Sequence, residues 1–196
     1  MKEKKEALCI IAHPDDETIW MGGTIMKNKD FIWTILSLCR KNDSDRAPKF
    51  RKVCKFFDAK SIISDLEDEK IEPLSISQVI DKIKSLLPKS NYDFIFTHGK
   101  NWEYGLLRHK EIHKAVKKMI KNKTLKSLNV YYFSYELKES KIPYPKIPSD
   151  LVSNLNEKEY KDKIDLITKY YGFPKDSFEA KSCNKIETFT SSWITN

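Results

Sequence analysis

The sequence predicts an α/β fold in which a mainly parallel sheet is covered by helices on both faces. Two observations carry this. Short apolar runs alternate along the chain with longer segments whose apolar residues recur at helical spacing. The runs are continuous rather than alternately apolar and polar, so they read as strands buried on both faces, as in parallel sheets. Strand–helix alternation implies right-handed crossovers, and ligands in such sheets bind outside the carboxyl ends of the strands. The length of 196 residues, 40% hydrophobic and 33% charged, suits a single folded domain over 1–196 with a sizeable core.

Ala7–Ala12 is the first strand, and Glu17–Lys27 a helix with Ile19, Met21 and Ile25 among its apolar positions. Phe31–Cys39 is a second apolar strand. Ala47–Phe57 follows as a helix, with Phe50, Val53, Cys54 and Phe57 at helical spacing. Ser61–Ile63 reads as a third, short strand. Ser77–Leu87 carries Val79, Ile80, Ile83 and Leu87 on one helical face and is closed by Pro88. Tyr92–Thr97 is a strand, His109–Lys121 a helix, Val130–Tyr135 a strand and Glu157–Tyr170 a C-terminal helix. Lys141–Asp150, with three prolines, reads as a loop. No internal repeat is visible.

Composition narrows the function. Apolar runs fall short of the roughly 20 residues needed to span a bilayer. The charged start Met1–Glu6 leads into only six apolar residues, Ala7–Ala12, which makes a poor signal peptide. A cytoplasmic protein without membrane insertion is expected. Cys9, Cys39, Cys54 and Cys183 offer no CxxC clip and read as free thiols. The net charge is +8, but the lysines are spread along the chain without an aromatic-interleaved basic stripe. A solvated surface accounts for them better than a nucleic-acid partner.

The chemistry is concentrated at histidines. His13 and His98 directly follow expected strands, and His109 and His113 open the helix after the second of these. All four are expected at one edge of the sheet. In His13-Pro14-Asp15-Asp16-Glu17 an imidazole and two aspartates crowd a strand-to-helix turn. Catalytic zinc takes three nitrogen or carboxylate ligands and keeps one open position. His13 and Asp16 can supply two, leaving Asp15 as a possible base. An acidic helix cap would explain the aspartates alone, but not the converging histidines. His109 and His113 share a helix face, so one or both can reach the metal. Arg46, in the polar stretch after the second strand, is read evenly as a substrate contact or a surface arginine.

At these residues the chain resembles the PIG-L/LmbE-like N-deacetylases, which include deacetylases of N-acetylglucosaminyl-phosphatidylinositol and of the sugar precursors of mycothiol and bacillithiol. The resemblance runs through Ala12-His13-Pro14-Asp15-Asp16-Glu17, Gly22-Gly23-Thr24, Arg46, Phe56-Phe57-Asp58-Ala59, Thr97-His98, Glu103-Tyr104-Gly105 and His109-Lys110-Glu111-Ile112-His113. A weaker echo lies at Lys163–Tyr171 and Glu187-Thr188-Phe189. The resemblance implies a Rossmann-like three-layer α/β/α domain. It also implies one Zn2+ on His13, Asp16 and His109, Asp15 as general base, and Arg46 as a substrate contact. The implied reaction removes an N-acyl group from a small amino-sugar-like substrate. Alternatives are an amidase of a related conjugate, or a catalytically impaired sugar-binding homologue.

One departure bears on the mechanism. Many members carry a histidine, thought to stabilise the oxyanion or protonate the leaving amine, where this chain has Leu106. His98, Tyr104 and His113 are the candidates to replace it, as donors or as substrate-side neighbours.

Overall fold

The apolar run at the first strand is continuous because both of its sides are covered. Ala7, Cys9 and Ile11 enter one hydrophobic core, while Leu8, Ile10 and Ala12 enter another on the opposite face of the sheet. The structure, a computed structural model, describes residues 4–70, 72–101, 103–139 and 141–191, so Met1–Glu3 of the charged start lie outside the described residues.

The expected strand–helix alternation is present: β1 (Glu6–Ile11), α1 (Asp16–Lys27), β2 (Ile32–Ser37), α2 (Arg46–Phe56), β3 (Lys60–Ile63), α3 (Ile76–Leu86), β4 (Phe94–Thr97), α4 (Leu107–Lys121) and β5 (Asn129–Phe133). These five strands are parallel in the order β3-β2-β1-β4-β5. The chain steps from β1 to β2 on one side and later returns to place β4 on the other. The ends of β1 and β4 therefore border the point where strand order reverses, which is where such sheets hold ligands. Helices α3 and α4 cover one face; α1, α2 and the later helices cover the other.

Beyond Phe133 the expectations need correction. The single strand expected over Val130–Tyr135 is two. β5 ends at Phe133, and β6 (Tyr135–Leu137) leaves the sheet to pair with β7 (Pro143–Pro145), inside the segment expected to be a loop. β8 (Leu151–Asn154) and β9 (Ile186–Ser191) then extend the main sheet, β9 antiparallel to both β5 and β8. The helix expected over Glu157–Tyr170 is α5 (Glu157–Asp165), started by an Asn156/Glu159 capping box, followed by a π-helical turn over Leu166–Tyr170. A short helix, α6 (Phe178–Ser182), precedes β9. β9 has little apolar signature because two of its buried residues, Glu187 and Thr188, are polar and hydrogen-bonded.

Helix α1 breaks at Met21 (φ −150°), freeing backbone N–H groups in its middle. The Glu187 carboxylate takes them up: Gly23 N donates at 2.8 Å and Thr24 N at 2.7 Å. A side chain at Gly23 would run into that of Leu155, which would have to move. The fully buried Lys163 donates to Glu187 at 2.7 Å and neutralises it. The four cysteines are free and buried. Among the described residues no helix is long and apolar enough to cross a membrane.

Candidate metal centre and its surroundings

Three loops at the carboxyl ends of β1, β2 and β4 turn through residues with positive φ that are not glycine: Asp15 (104°), Arg40 (70°) and Glu103 (56°). Such a conformation is uncommon for an L-residue and costs of the order of 1–3 kcal/mol where strained. At each position a charged side chain is thereby set in or beside one pocket.

The structure brings His13, Asp16 and His109 together. One ligand atom from each lies within 4.8 Å of the others. Asp16 Oδ2 is 3.6 Å from His13 Nδ1 and 3.4 Å from His109 Nε2. Asp16 is fixed from both sides, accepting from Trp20 Nε1 at 2.8 Å and from the His13 backbone N–H at 2.9 Å. His13 Nε2 meets Asp68 Oδ2 at 2.9 Å, which leaves Nδ1 turned toward Asp16. Burial works against the Asp16 carboxylate, yet His109, His13 and His98 outweigh it and hold the group well below the usual range.

His109 Nε2 decides whether these residues suit a cation. It is buried and makes no hydrogen bond among the described residues, with Asp16 Oδ2 facing it at 3.4 Å, a costly state for a ring nitrogen unless something else engages it. Its other nitrogen, Nδ1, lies 2.7 Å from Glu103 Oε2. Burial opposes charge on this ring, but Asp16 and Glu103 outweigh it and raise its pKa to about 10. The site thus draws positive charge to the atom that faces Asp16 and His13. Two carboxylate or imidazole groups and one unpartnered ring nitrogen form a donor set that fits a divalent metal. Two neighbouring clusters fit less well. In His13–Cys39–Asp68, Arg40 already occupies Asp68 at 2.8 Å and burial keeps the thiol protonated. In His98–Glu103–His109, the nitrogens of His98 are both engaged.

Asp15 stands beside this trio. Arg46 Nη1 donates to its Oδ2 at 2.6 Å and sits over the Phe173 ring, 4.6 Å from the centroid. The arginine of the second loop therefore faces the site through Asp15. Burial and then the neighbouring Asp16 push the Asp15 pKa well above the carboxylate range, with Arg46 opposing them. Its backbone is held by Glu17, whose Oε2 accepts Asp15 N–H at 3.0 Å while Oε1 accepts from Thr18 and Tyr171 hydroxyls. The pocket over these residues has a volume of about 270 Å³. Its walls include Arg40, Asp43, Arg46, Tyr104, Leu106 and Phe178.

The remaining candidates are sorted by their contacts. His98 is fully buried. Its Nε2 accepts from Ala12 N–H at 2.9 Å and its Nδ1 meets Glu103 Oε2 at 2.9 Å, so neither nitrogen is free to donate to a substrate in place of the residue at Leu106. His113 does not join the other three histidines. One helical turn deeper, its Nδ1 donates to His98 O at 2.9 Å and its ring packs on Tyr132. Tyr104 does line the pocket, 5.2 Å from the His109 ring and 4.7 Å from Phe178. Burial and the nearby Asp16 and Asp15 push its phenol up, so it stays a donor. Sequence reasoning missed Asp68, Arg40 and the hydrogen-bonding part of Glu103. Each is a single charged residue in an irregular loop; the only signal was its place just beyond a strand end.

Residues 8–120 match the family described as PIG-L, GlcNAc-PI de-N-acetylase. The mimivirus protein L374 of Acanthamoeba polyphaga mimivirus is 26% identical over 152 residues, covering 68% of this chain; the match spans 63% of that protein's length. Among solved structures, the N,N'-diacetylchitobiose deacetylase of Pyrococcus horikoshii superposes with a TM-score of 0.71 at 16% identity, covering 98% of this chain and 85% of its own. GalB, the 4-carboxy-2-hydroxymuconate hydratase of Pseudomonas putida KT2440, superposes with a TM-score of 0.56 at 14% identity and 98% coverage of both chains. These two share the fold.

Proposed function

The chain belongs to the PIG-L (GlcNAc-PI de-N-acetylase) family, and from that premise we propose that it is a zinc-dependent hydrolase that removes an N-acetyl or other short N-acyl group from an amino sugar or GlcNAc-containing substrate. The observation that carries this reading is the buried, unpartnered His109 Nε2, which converges with Asp16 and His13 under a pocket walled by Asp15.

His13, Asp16 and His109 would hold the ion. Bound zinc supplies Lewis acidity, acidifying water and polarising a carbonyl. Asp15 takes a proton from the attacking water as its oxygen bonds to the acyl carbon. Arg46 Nη1, 2.6 Å from Oδ2, fixes the direction of this carboxylate. When the C–N bond breaks, Asp15 returns the proton to the departing nitrogen, giving a free amine and a short carboxylic acid. Leu106 donates nothing, so the Tyr104 hydroxyl is the uncharged donor on the pocket wall for the developing oxyanion. Arg46, Arg40 and Asp43 supply polar contacts for sugar hydroxyls, and Phe178 and Tyr104 supply apolar faces.

Leu106 favours a second reading, a sugar binder of the same fold without turnover. Acetate release from a panel of N-acetylated amino sugars, with zinc-loaded and chelator-stripped protein, separates the two. The proposal expects zinc-dependent release from at least one sugar. Saturable sugar binding by zinc-loaded protein with no release across the panel would favour the binder.

A further inference from the structure

We infer that Glu103 is a positioning residue that fixes the tautomers of His98 and His109 together and so reserves His109 Nε2 for the metal. The inference rests on the zinc reading above and concerns a residue outside the ligand set.

Ala12 N–H points at His98 Nε2 at 2.9 Å, so that nitrogen must be the bare acceptor. His98 Nδ1 therefore carries the proton and donates it to Glu103 Oε2 at 2.9 Å. The same oxygen receives His109 Nδ1 at 2.7 Å. A second backbone donor, Gly99 N–H, reaches Glu103 Oε1 at 2.7 Å. With Gly99 N–H on Oε1 and His98 Nδ1–H on Oε2, the buried carboxylate is surrounded by donors, the arrangement that suits its ionised form. An ionised carboxylate accepts only, so His109 Nδ1 must donate. A neutral His109 then has its lone pair on Nε2, aimed toward Asp16 Oδ2.

This arrangement couples two strand ends. The stacked His98 and His109 rings, 3.7 Å apart, share one anchor. That anchor is tied through His98 to the backbone immediately before His13. A metal-bound histidine held through its other nitrogen by a carboxylate is a general device for orienting the ring, and losing such a partner costs about 10–100-fold in metal affinity. Here one carboxylate orients a ligand and, through a second imidazole, the loop bearing another ligand.

Glu103→Gln tests it. The amide must turn either its NH₂ toward both Nδ1–H groups or its NH₂ toward Gly99 N–H, so one donor always meets another. Zinc affinity, measured by chelator competition on folded protein, is expected to fall about 10–100-fold, with the circular dichroism of the variant unchanged. A variant that folds and binds zinc as tightly as the wild type would overturn the inference. A wild-type chain that binds no zinc would instead overturn the metal reading itself. A measurement on the wild type guards against a variant that does not fold: ¹H–¹⁵N correlation of the imidazoles should show Nδ1 protons on both His98 and His109 in the zinc-loaded protein. A His109 Nδ1 without a proton in that state would overturn the inference whatever the variant does.

Discussion

Asp15 holds a backbone conformation (φ 104°) that glycine would adopt more cheaply. The carboxylate is the reason to keep it: at this bend the side chain meets Arg46 and lines the pocket, while the backbone N–H is retained by Glu17. Asp15→Asn keeps the shape and removes the carboxylate proposed as the base. It is expected to retain zinc and to lower acetate release by about 10²–10⁴-fold. Near wild-type release from that variant would show that Asp15 is not the base. Much of this was legible in the sequence, because His13, Asp15 and Asp16 are adjacent and crowded in a strand-to-helix turn. Glu103 and Asp68 were not, because a lone acid in an irregular loop has no periodicity to mark which neighbour it faces.

At the scale of elements, α1 carries the site at its start and a break at Met21 further along. The break is stabilised from a distance by the Glu187–Lys163 pair, which is fully buried on both sides. Removing one partner of such a pair strands the other charge in the core, which costs about 3–5 kcal/mol. Lys163→Met is expected to lower the stability of the zinc-free protein by about that much, as read by urea denaturation. Removing Lys158, whose pair with Asp162 is largely exposed, should leave stability close to wild type. If the two substitutions behaved alike, the buried pair would not be what secures the break. The parallel strands were legible because burial on two faces makes a continuous apolar run. β9 was hidden because its buried Glu187 and Thr188 are polar, and β6 and β7 because their ladder is only three residues long on each side.

For the whole molecule, the sheet order does the assembling. Residues far apart in sequence meet because β1 and β4 are neighbours and their loops open at the same edge. A deacetylase and a hydratase share this framework, so the reaction is decided by the loop residues rather than by the sheet. The histidines show how finely: His109 and His113 lie one turn apart on α4, yet His109 faces Asp16 and His113 turns to His98 O and Tyr132. The zinc content of the wild type, His109→Ala and His113→Ala after exhaustive dialysis therefore tests the account most directly. It predicts about one zinc per chain in the wild type and in His113→Ala, with loss from His109→Ala; zinc kept by His109→Ala and lost from His113→Ala would contradict it.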